Sequence, residues 1–278
     1  ALFAQGTYDI SDQLHLTAGL RFTDEDKEFV ALSVVGIDAN GLVTGLPDCL
    51  NNPIPLPGDG ACVLPPTPVS SDTTELQPYV NLSYDWNDDL MTYVSYSEGF
   101  KAGAFTQRVF PPALATPTAG PEYVKVYEGG FKSSWFDNRV RLNGALFFTD
   151  YTDLQVNVNQ PTGTGGGTVI GTVTDNAASA EILGFELEMT ALPIDNALIQ
   201  LGIGYLDAEY VSFDPTKAIA NLDLTDDLIN TPKWNINLSG QYEYNLGEMG
   251  TLTPRFDMSY ASKTANDSAN HPLLIQKS

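Results

Sequence analysis

Residues 13–22 alternate without a break: Leu14, Leu16, Ala18, Leu20 and Phe22 stand at even positions, with Gln13, His15, Thr17, Gly19 and Arg21 between them. A period of two places each set on its own face of an extended strand, so the segment is predicted to be a strand that is apolar on one side and polar on the other. Residues 234–244 repeat the pattern, with Trp234, Ile236, Leu238, Tyr242 and Tyr244 on one face against Asn235, Asn237, Ser239, Gln241 and Glu243. Clear alternation recurs at residues 80–86, 140–148, 183–189, 199–205 and 252–260, and weaker alternation at 2–10, 91–100 and 123–131. Ten strands are predicted.

The connections fall into two kinds. Ser11-Asp12, Asn87-Asp88-Asp89, Asp137-Asn138, Ile194-Asp195-Asn196 and residues 247–250 are short and built from residues that tight turns favour. Residues 24–73, 101–121, 159–178, 211–230 and 263 onward are long and polar or rich in Pro and Gly. The short ones follow odd-numbered strands and the long ones even-numbered strands, which puts all tight turns at one end of an up-and-down antiparallel sheet. This is the asymmetry of outer-membrane barrels, whereas a soluble sandwich or propeller, the alternative that also alternates, is expected to show a less regular one.

Composition agrees. The chain is rich in Gly (24), Phe (13) and Tyr (13), and its 13 Lys and Arg against 35 Asp and Glu give a net charge of −22. Such an acidic chain is not expected to bind nucleic acid. No run reaches the roughly 18 to 20 apolar residues of a membrane helix, so a bilayer would have to be crossed by strands. A ten-residue strand tilted near 45° rises roughly 23 Å, the height of a barrel's apolar band. Tyr84 and Trp86, Trp135 and Phe136, and Tyr242 and Tyr244 precede short turns and suit an interfacial girdle. Ala1-Leu2-Phe3-Ala4-Gln5 already reads as strand without a secretory signal, and residues 272–278 lack a closing aromatic, so the chain is expected to continue beyond both ends.

Several phrases resemble the barrel of TonB-dependent receptors. Tyr93-Val-Ser-Tyr-Ser-Glu-Gly-Phe-Lys-Ala-Gly-Ala-Phe105 resembles the strand tip with the family's serine-rich, glycine-phenylalanine phrase. Glu122-Tyr-Val-Lys-Val-Tyr-Glu-Gly-Gly-Phe-Lys-Ser133 and Arg139-Val-Arg-Leu-Asn-Gly-Ala-Leu-Phe-Phe-Thr-Asp-Tyr151 resemble the next hairpin, while Ala180-Glu-Ile-Leu-Gly-Phe-Glu-Leu-Glu188 and Thr231-Pro-Lys-Trp-Asn-Ile-Asn-Leu238 resemble two later strand starts. The resemblance implies an all-β, antiparallel up-and-down transmembrane β-barrel with short periplasmic turns and long extracellular loops. Residues 1–278 would be its middle-to-late part, with the plug domain and final strands outside the sequence, since the family's transporters have about 22 strands and a plugged lumen. It further implies residence in the cell outer membrane of a Gram-negative bacterium, contact with outer-membrane lipid, and import powered by the TonB energy-coupling complex acting on the plug. The family's usual ligand is a ferric siderophore, with cobalamin, haem and glycans behind it. A passive porin or substrate-specific channel is the alternative reading, and a barrel enzyme or adhesin a third.

Individual residues add little chemistry. Only His15 and His271 are present, no nucleophile and base can be argued from spacing, and no catalytic residue or cofactor is expected. Residues 163–168 are glycine-rich without the Lys-Ser/Thr of a phosphate loop. The acidic groups Asp24-Glu25-Asp26 and Asp223, Asp226 and Asp227 are placed on outer loops where carboxylates could hold calcium, though their spacing matches no EF-hand. Glu186 and Glu188 share a strand face and are expected to line a watery lumen, not to act as a glycosidase pair. In the loop of residues 101–121, Phe105, Gln107, Arg108 and Phe110 offer aromatic and cationic groups that could clasp an anionic chelate. Cys49 and Cys62, the only cysteines, fall in the first long loop and are expected to form a disulfide in an oxidising compartment.

Overall fold

The computed structural model describes residues 1–30, 34–35, 61–62, 68–106, 118–161, 170–214, 218–219, 224, 226–266 and 270–277. Among the described residues ten long strands form one sheet: β1 (Leu2–Asp9), β2 (Leu14–Phe29), β3 (Val69–Asn87), β4 (Leu90–Lys101), β5 (Glu122–Trp135), β6 (Val140–Pro161), β7 (Ile170–Ala191), β8 (Ala197–Phe213), β9 (Trp234–Tyr242) and β10 (Arg255–Ala261). Each pairs antiparallel with its neighbour in sequence, and Ala218–Ile219 adds a short ladder on β6. Strand number, order and direction are those expected.

The turn chemistry accounts for the short connections. Phe136, Asp137 and Asn138 all take positive φ between β5 and β6, and Asn196 does so between β7 and β8. Asn and Asp tolerate that region better than other non-glycine residues. Asn87 Oδ1 accepts the Asp89 N–H at 2.9 Å, and Ser11 Oγ accepts the Leu14 N–H at 3.0 Å, closing two more hairpins. The last short connection carries a single 3-10 turn, Gly247–Met249.

The sheet is built inside out compared with a soluble protein. On the outer face Val94 and Leu146 are each 59 % exposed, and Leu82, Leu183, Phe256 and Met258 are exposed with them. The buried apolar cluster is small and sits at the long-loop end, around Val158, Val173, Ala180 and Tyr210. Cross-strand rows mark the limits of the apolar face. Tyr96, Tyr127, Phe148 and Leu183 lie side by side, with ring centroids 5.0 Å apart for Tyr96–Tyr127 and 6.4 Å for Tyr127–Phe148. One step further out the same face carries Glu98, Lys125, Asp150, Glu181 and Glu209 in register. At the opposite end Tyr84 and Trp86 meet edge to face at 4.9 Å, and Tyr242 and Tyr244 lie 6.4 Å apart. Aromatic rings at both edges of an exposed apolar band are the arrangement a bilayer requires. Among the described residues no helix is long and apolar enough to cross a membrane.

Strand length departs from expectation. Asp24-Glu25-Asp26 belong to β2, paired to Thr74, Thr73 and Asp72 of β3, so they are not on a loop. Most of the expected loop at 159–178 is likewise ladder, because β6 runs to Pro161 and β7 starts at Ile170. Beyond the apolar band both strand faces can be polar. The alternation then vanishes although the backbone stays hydrogen bonded. Register shifts at Tyr151/Leu154, Leu154/Gln155 and Ser179/Ala180 bend these extensions just beyond the charged row.

Candidate functional site

The register carries one polar face from strand to strand. Glu188 of β7, Gly202 of β8, Asn237 of β9 and Ser259 of β10 stand in one row, and Thr190, Gln200, Ser239 and Asp257 in the next. Asn237 Oδ1 accepts from Ser259 Oγ at 2.9 Å, and Arg255 reaches Asp257 with its closest contact at 2.7 Å. Further along the wall Tyr93 donates to Glu128 at 2.6 Å. Glu186 and Glu188 lie on this face with Asn143 and Lys132, as expected of lumen residues. His15 is held on both sides, Nδ1 2.6 Å from Asp9 and Nε2 3.1 Å from Asp85, so it clamps β1, β2 and β3 and leaves no nitrogen for a nucleophile. This wall offers hydrogen bonds to a hydrated solute.

The second feature is at the long-loop end. The ladder between β3 and β4 runs only from Tyr79/Ser97 to Asn87/Leu90, whereas β2 and β3 stay paired out to Phe29/Val69. Pro78, which has no N–H, stands where β3 leaves β4. A two-stranded ribbon thus departs from the sheet. The base of the β4–β5 loop, with Ala104–Phe105 paired to Thr118–Ala119, packs against it. The Lys27 ammonium donates to the Gly103 carbonyl at 3.1 Å, the rings of Phe29 and Phe105 stack at 5.5 Å and 13°, and Tyr123 donates to Glu75 at 2.7 Å.

On its other side the loop base is stitched to β6 and β7. The buried Glu122 carboxylate accepts from Lys101 Nζ at 3.2 Å and from the Gln155 N–H at 2.9 Å. Gln155 Nε2 donates to the carbonyls of Ala102 and Gly120, and Asn176 Nδ2 to those of Gly120 and Pro121. The Thr174 N–H donates to Thr106 Oγ1 at 3.0 Å. At the same rim Lys233 lies 3.3 Å from Asp207, whose carboxylate raises the pKa of the ammonium.

Of the expected ligand group, Phe105 is at this mouth, while Gln107, Arg108 and Phe110 lie outside the described residues. Cys49 and residues 163–168 also lie outside them, and Cys62 is described only as the backbone partner of Val34. Asp223 is likewise outside. Asp227 forms a bridge to Glu209, and its N–H donates to Asn270 Oδ1 at 3.0 Å. Among the described residues no group of three or more His, Cys, Asp or Glu side chains could hold a metal ion. Lys27, Gln155 and Asn176, which help to organise the mouth, are not singled out by any sequence motif, since each donates to main-chain carbonyls of distant residues.

The family described as TonB dependent receptor-like, beta-barrel matches residues 1–276. A curated relative, the ferric-pyoverdine receptor PbuA of a Pseudomonas strain, is 28% identical over 158 residues, covering 57% of this chain and 17% of that protein. Among solved structures, the ferric yersiniabactin uptake receptor FyuA from Yersinia pestis aligns with a TM-score of 0.69 at 17% identity, over 99% of this chain and 35% of that one. The ferric-catecholate import receptor Fiu from E. coli aligns at 0.66 and 15% identity, over 95% and 34%. The chain therefore spans about a third of those structures, and less of the curated relative. With its meandering sheet, apolar outer face and polar inner wall matched to the family along nearly its full length, the chain belongs to the TonB-dependent receptor β-barrels.

Proposed function

We propose that residues 1–278 are a contiguous part of an outer-membrane receptor that imports a ferric siderophore. The observation that carries this reading is the family match over residues 1–276, joined to a curated relative described as a ferric-pyoverdine receptor. The plug domain and remaining strands would lie elsewhere in the protein, and the TonB energy-coupling complex would act through that plug. In support, β1 and β10 each pair on one side only among the described residues, and the solved neighbours are about three times as long. The exposed apolar outer face supports contact with outer-membrane lipid. The mouth around Phe105 supports a ligand site there, to which Gln107, Arg108 and Phe110 would contribute. The passive porin is the weaker reading, because the relatives are receptors.

The test is radio-iron uptake by cells whose only ferric-chelate receptor is the full-length protein, using ferric pyoverdine and a panel of other ferric siderophores. Uptake of at least one chelate that stops when the coupling complex is deleted is the expected result. Passive, coupling-independent entry of small sugars, with no chelate taken up, would establish the porin instead.

A further inference from the structure

The β4–β5 connection leaves the barrel wall through a break in each of its stems. The ladder stops at Lys101/Glu122 and resumes at Ala104/Ala119, so Ala102 and Gly103 on one stem and Gly120 and Pro121 on the other stand outside it. A carbonyl in such a break has no ladder partner, and where it is shielded from water it must find another. All four find a side chain. The Ala102 carbonyl accepts from Gln155 Nε2 at 3.2 Å, and the Gly103 carbonyl from Lys27 Nζ at 3.1 Å. The Gly120 carbonyl accepts from Gln155 Nε2 at 2.9 Å and from Asn176 Nδ2 at 3.0 Å, and the Pro121 carbonyl from Asn176 Nδ2 at 3.0 Å.

Both amides come from one point of the neighbouring ladder. Gln155 of β6 and Asn176 of β7 are register partners directly after the shift between Leu154 and Gln155. A shift of this kind re-aims the side chains beside it. Asn176 Nδ2 also donates to the Asp153 carbonyl at 2.6 Å, which fixes the amide to the bent part of β6. The breaks are filled as well as bonded. A Cβ on Gly103 would stand 2.6 Å from Ser71 Oγ and 2.7 Å from the Ala119 carbonyl oxygen, and one on Gly120 would stand 3.3 Å from Asn176 Oδ1.

We propose that Gln155, Asn176 and Lys27 are positioning residues that lock these two breaks and hold the β4–β5 loop at a fixed attitude over the mouth. A chelate then meets a loop already in place. The proposal rests on reading the protein as a ferric-chelate receptor, and adds to it what sets the attitude of one of its loops. Two breaks at one level, each with a glycine, would let the loop tilt as a body about its stems. Side chains from β2, β6 and β7 remove that freedom by bonding the carbonyls on which the tilt would turn. A loop ordered before binding loses no affinity to being ordered by its ligand. The competing account is that the three residues only strengthen the outer end of the sheet.

The experiment uses the full-length receptor, in lipid vesicles for exchange and in cells with no other ferric-chelate receptor for uptake. Gln155→Met and Asn176→Leu keep the side-chain volume and remove the donors. In each variant hydrogen exchange at residues 104–105 and 118–119 should quicken about tenfold, the effect of a lost hydrogen bond to a buried carbonyl, while Leu146 keeps its parental rate. With ferric pyoverdine as probe, the dissociation constant should rise about tenfold as ordering of the loop is charged to binding, and uptake at saturating chelate should match the parent's. Unchanged exchange at the loop base would overturn the lock. Quickened exchange with parental affinity would overturn the positioning role and leave the competing account, and so would a fall in saturating uptake at parental affinity. If the parent does not bind ferric pyoverdine, that failure belongs to the choice of chelate, and the lock stands or falls on the exchange rates. Should either variant miss the heat-modifiable folded form, Lys27→Met, which leaves both amides in place, carries the same expectations.

Discussion

The ring of Phe147 on β6 lies over Gly184 on β7, so near that a Cβ on Gly184 would stand 2.4 Å from the ring's Cζ and 2.8 Å from the Tyr205 carbonyl oxygen. One glycine thus makes room for one ring, and the inner wall keeps its surface without a bulge. Gly184→Ala should therefore destabilise the folded barrel by about 1 to 3 kcal/mol through overpacking. Gly202→Ala enters open space and should be neutral or stabilising by roughly 0.4 to 1 kcal/mol through reduced freedom of the unfolded chain. Urea titration of the full-length receptor in vesicles measures both, and equal midpoints for the two variants would contradict the ring-over-glycine packing.

Neighbouring residues on β9 should respond oppositely to the same charge. Leu238 is paired with Leu201 and Met258 on the apolar face, and Ser239 with Gln200 and Asp257 on the polar one. Leu238→Arg should cost about 2 to 4 kcal/mol near the bilayer midplane, whereas Ser239→Arg should be close to harmless. Similar losses in refolding free energy would show the faces to be wrongly assigned.

At the mouth, Glu122 joins the Lys101 ammonium to the Gln155 main chain. Glu122→Gln removes the charge from that junction and should lower the opening free energy of the Gln155 amide by about 1 to 3 kcal/mol. Hydrogen exchange should quicken there and stay unchanged at Leu146, in the middle of the ladder. Unaltered exchange at Gln155 would remove Glu122 from its stitching role.

Asp150, Glu181 and Glu209 stand directly opposite one another on adjacent strands, just beyond the aromatic row. Like charges so placed repel, so Glu181→Lys should stabilise the barrel by roughly 0.2 to 1 kcal/mol in zwitterionic vesicles of low ionic strength. Added salt should erase the gain. A salt-independent loss of stability would count against this register.

Cys49 and Cys62 are the chain's only cysteines, thirteen positions apart. The expected disulfide closes a loop for which chain entropy gives about 3 kcal/mol at roughly 15 residues. Thiol titration of the unreduced receptor in isolated outer membranes should find neither cysteine free, and two reactive thiols would end the proposal.

The local sequence determined where the chain becomes strand and which way each strand faces. Leu14 to Phe22 and Trp234 to Tyr242 declare both in their own alternation, because side chains of an extended chain turn outward and inward by simple geometry. Short turns of Asn, Asp and Gly set the antiparallel order for an equally local reason. Tertiary structure decided the rest. Asp24-Glu25-Asp26 are ladder only because Thr74, Thr73 and Asp72 pair with them across the long connection. Phe105 was legible as a residue of a long loop, but its stacking on Phe29 was not, nor was the part-buried bond from Gln155 to Glu122. Gly184 and Gly202 look alike in the sequence. One is covered by Phe147 and the other is bare, since what fills a glycine's space comes from the neighbouring strand once register is set.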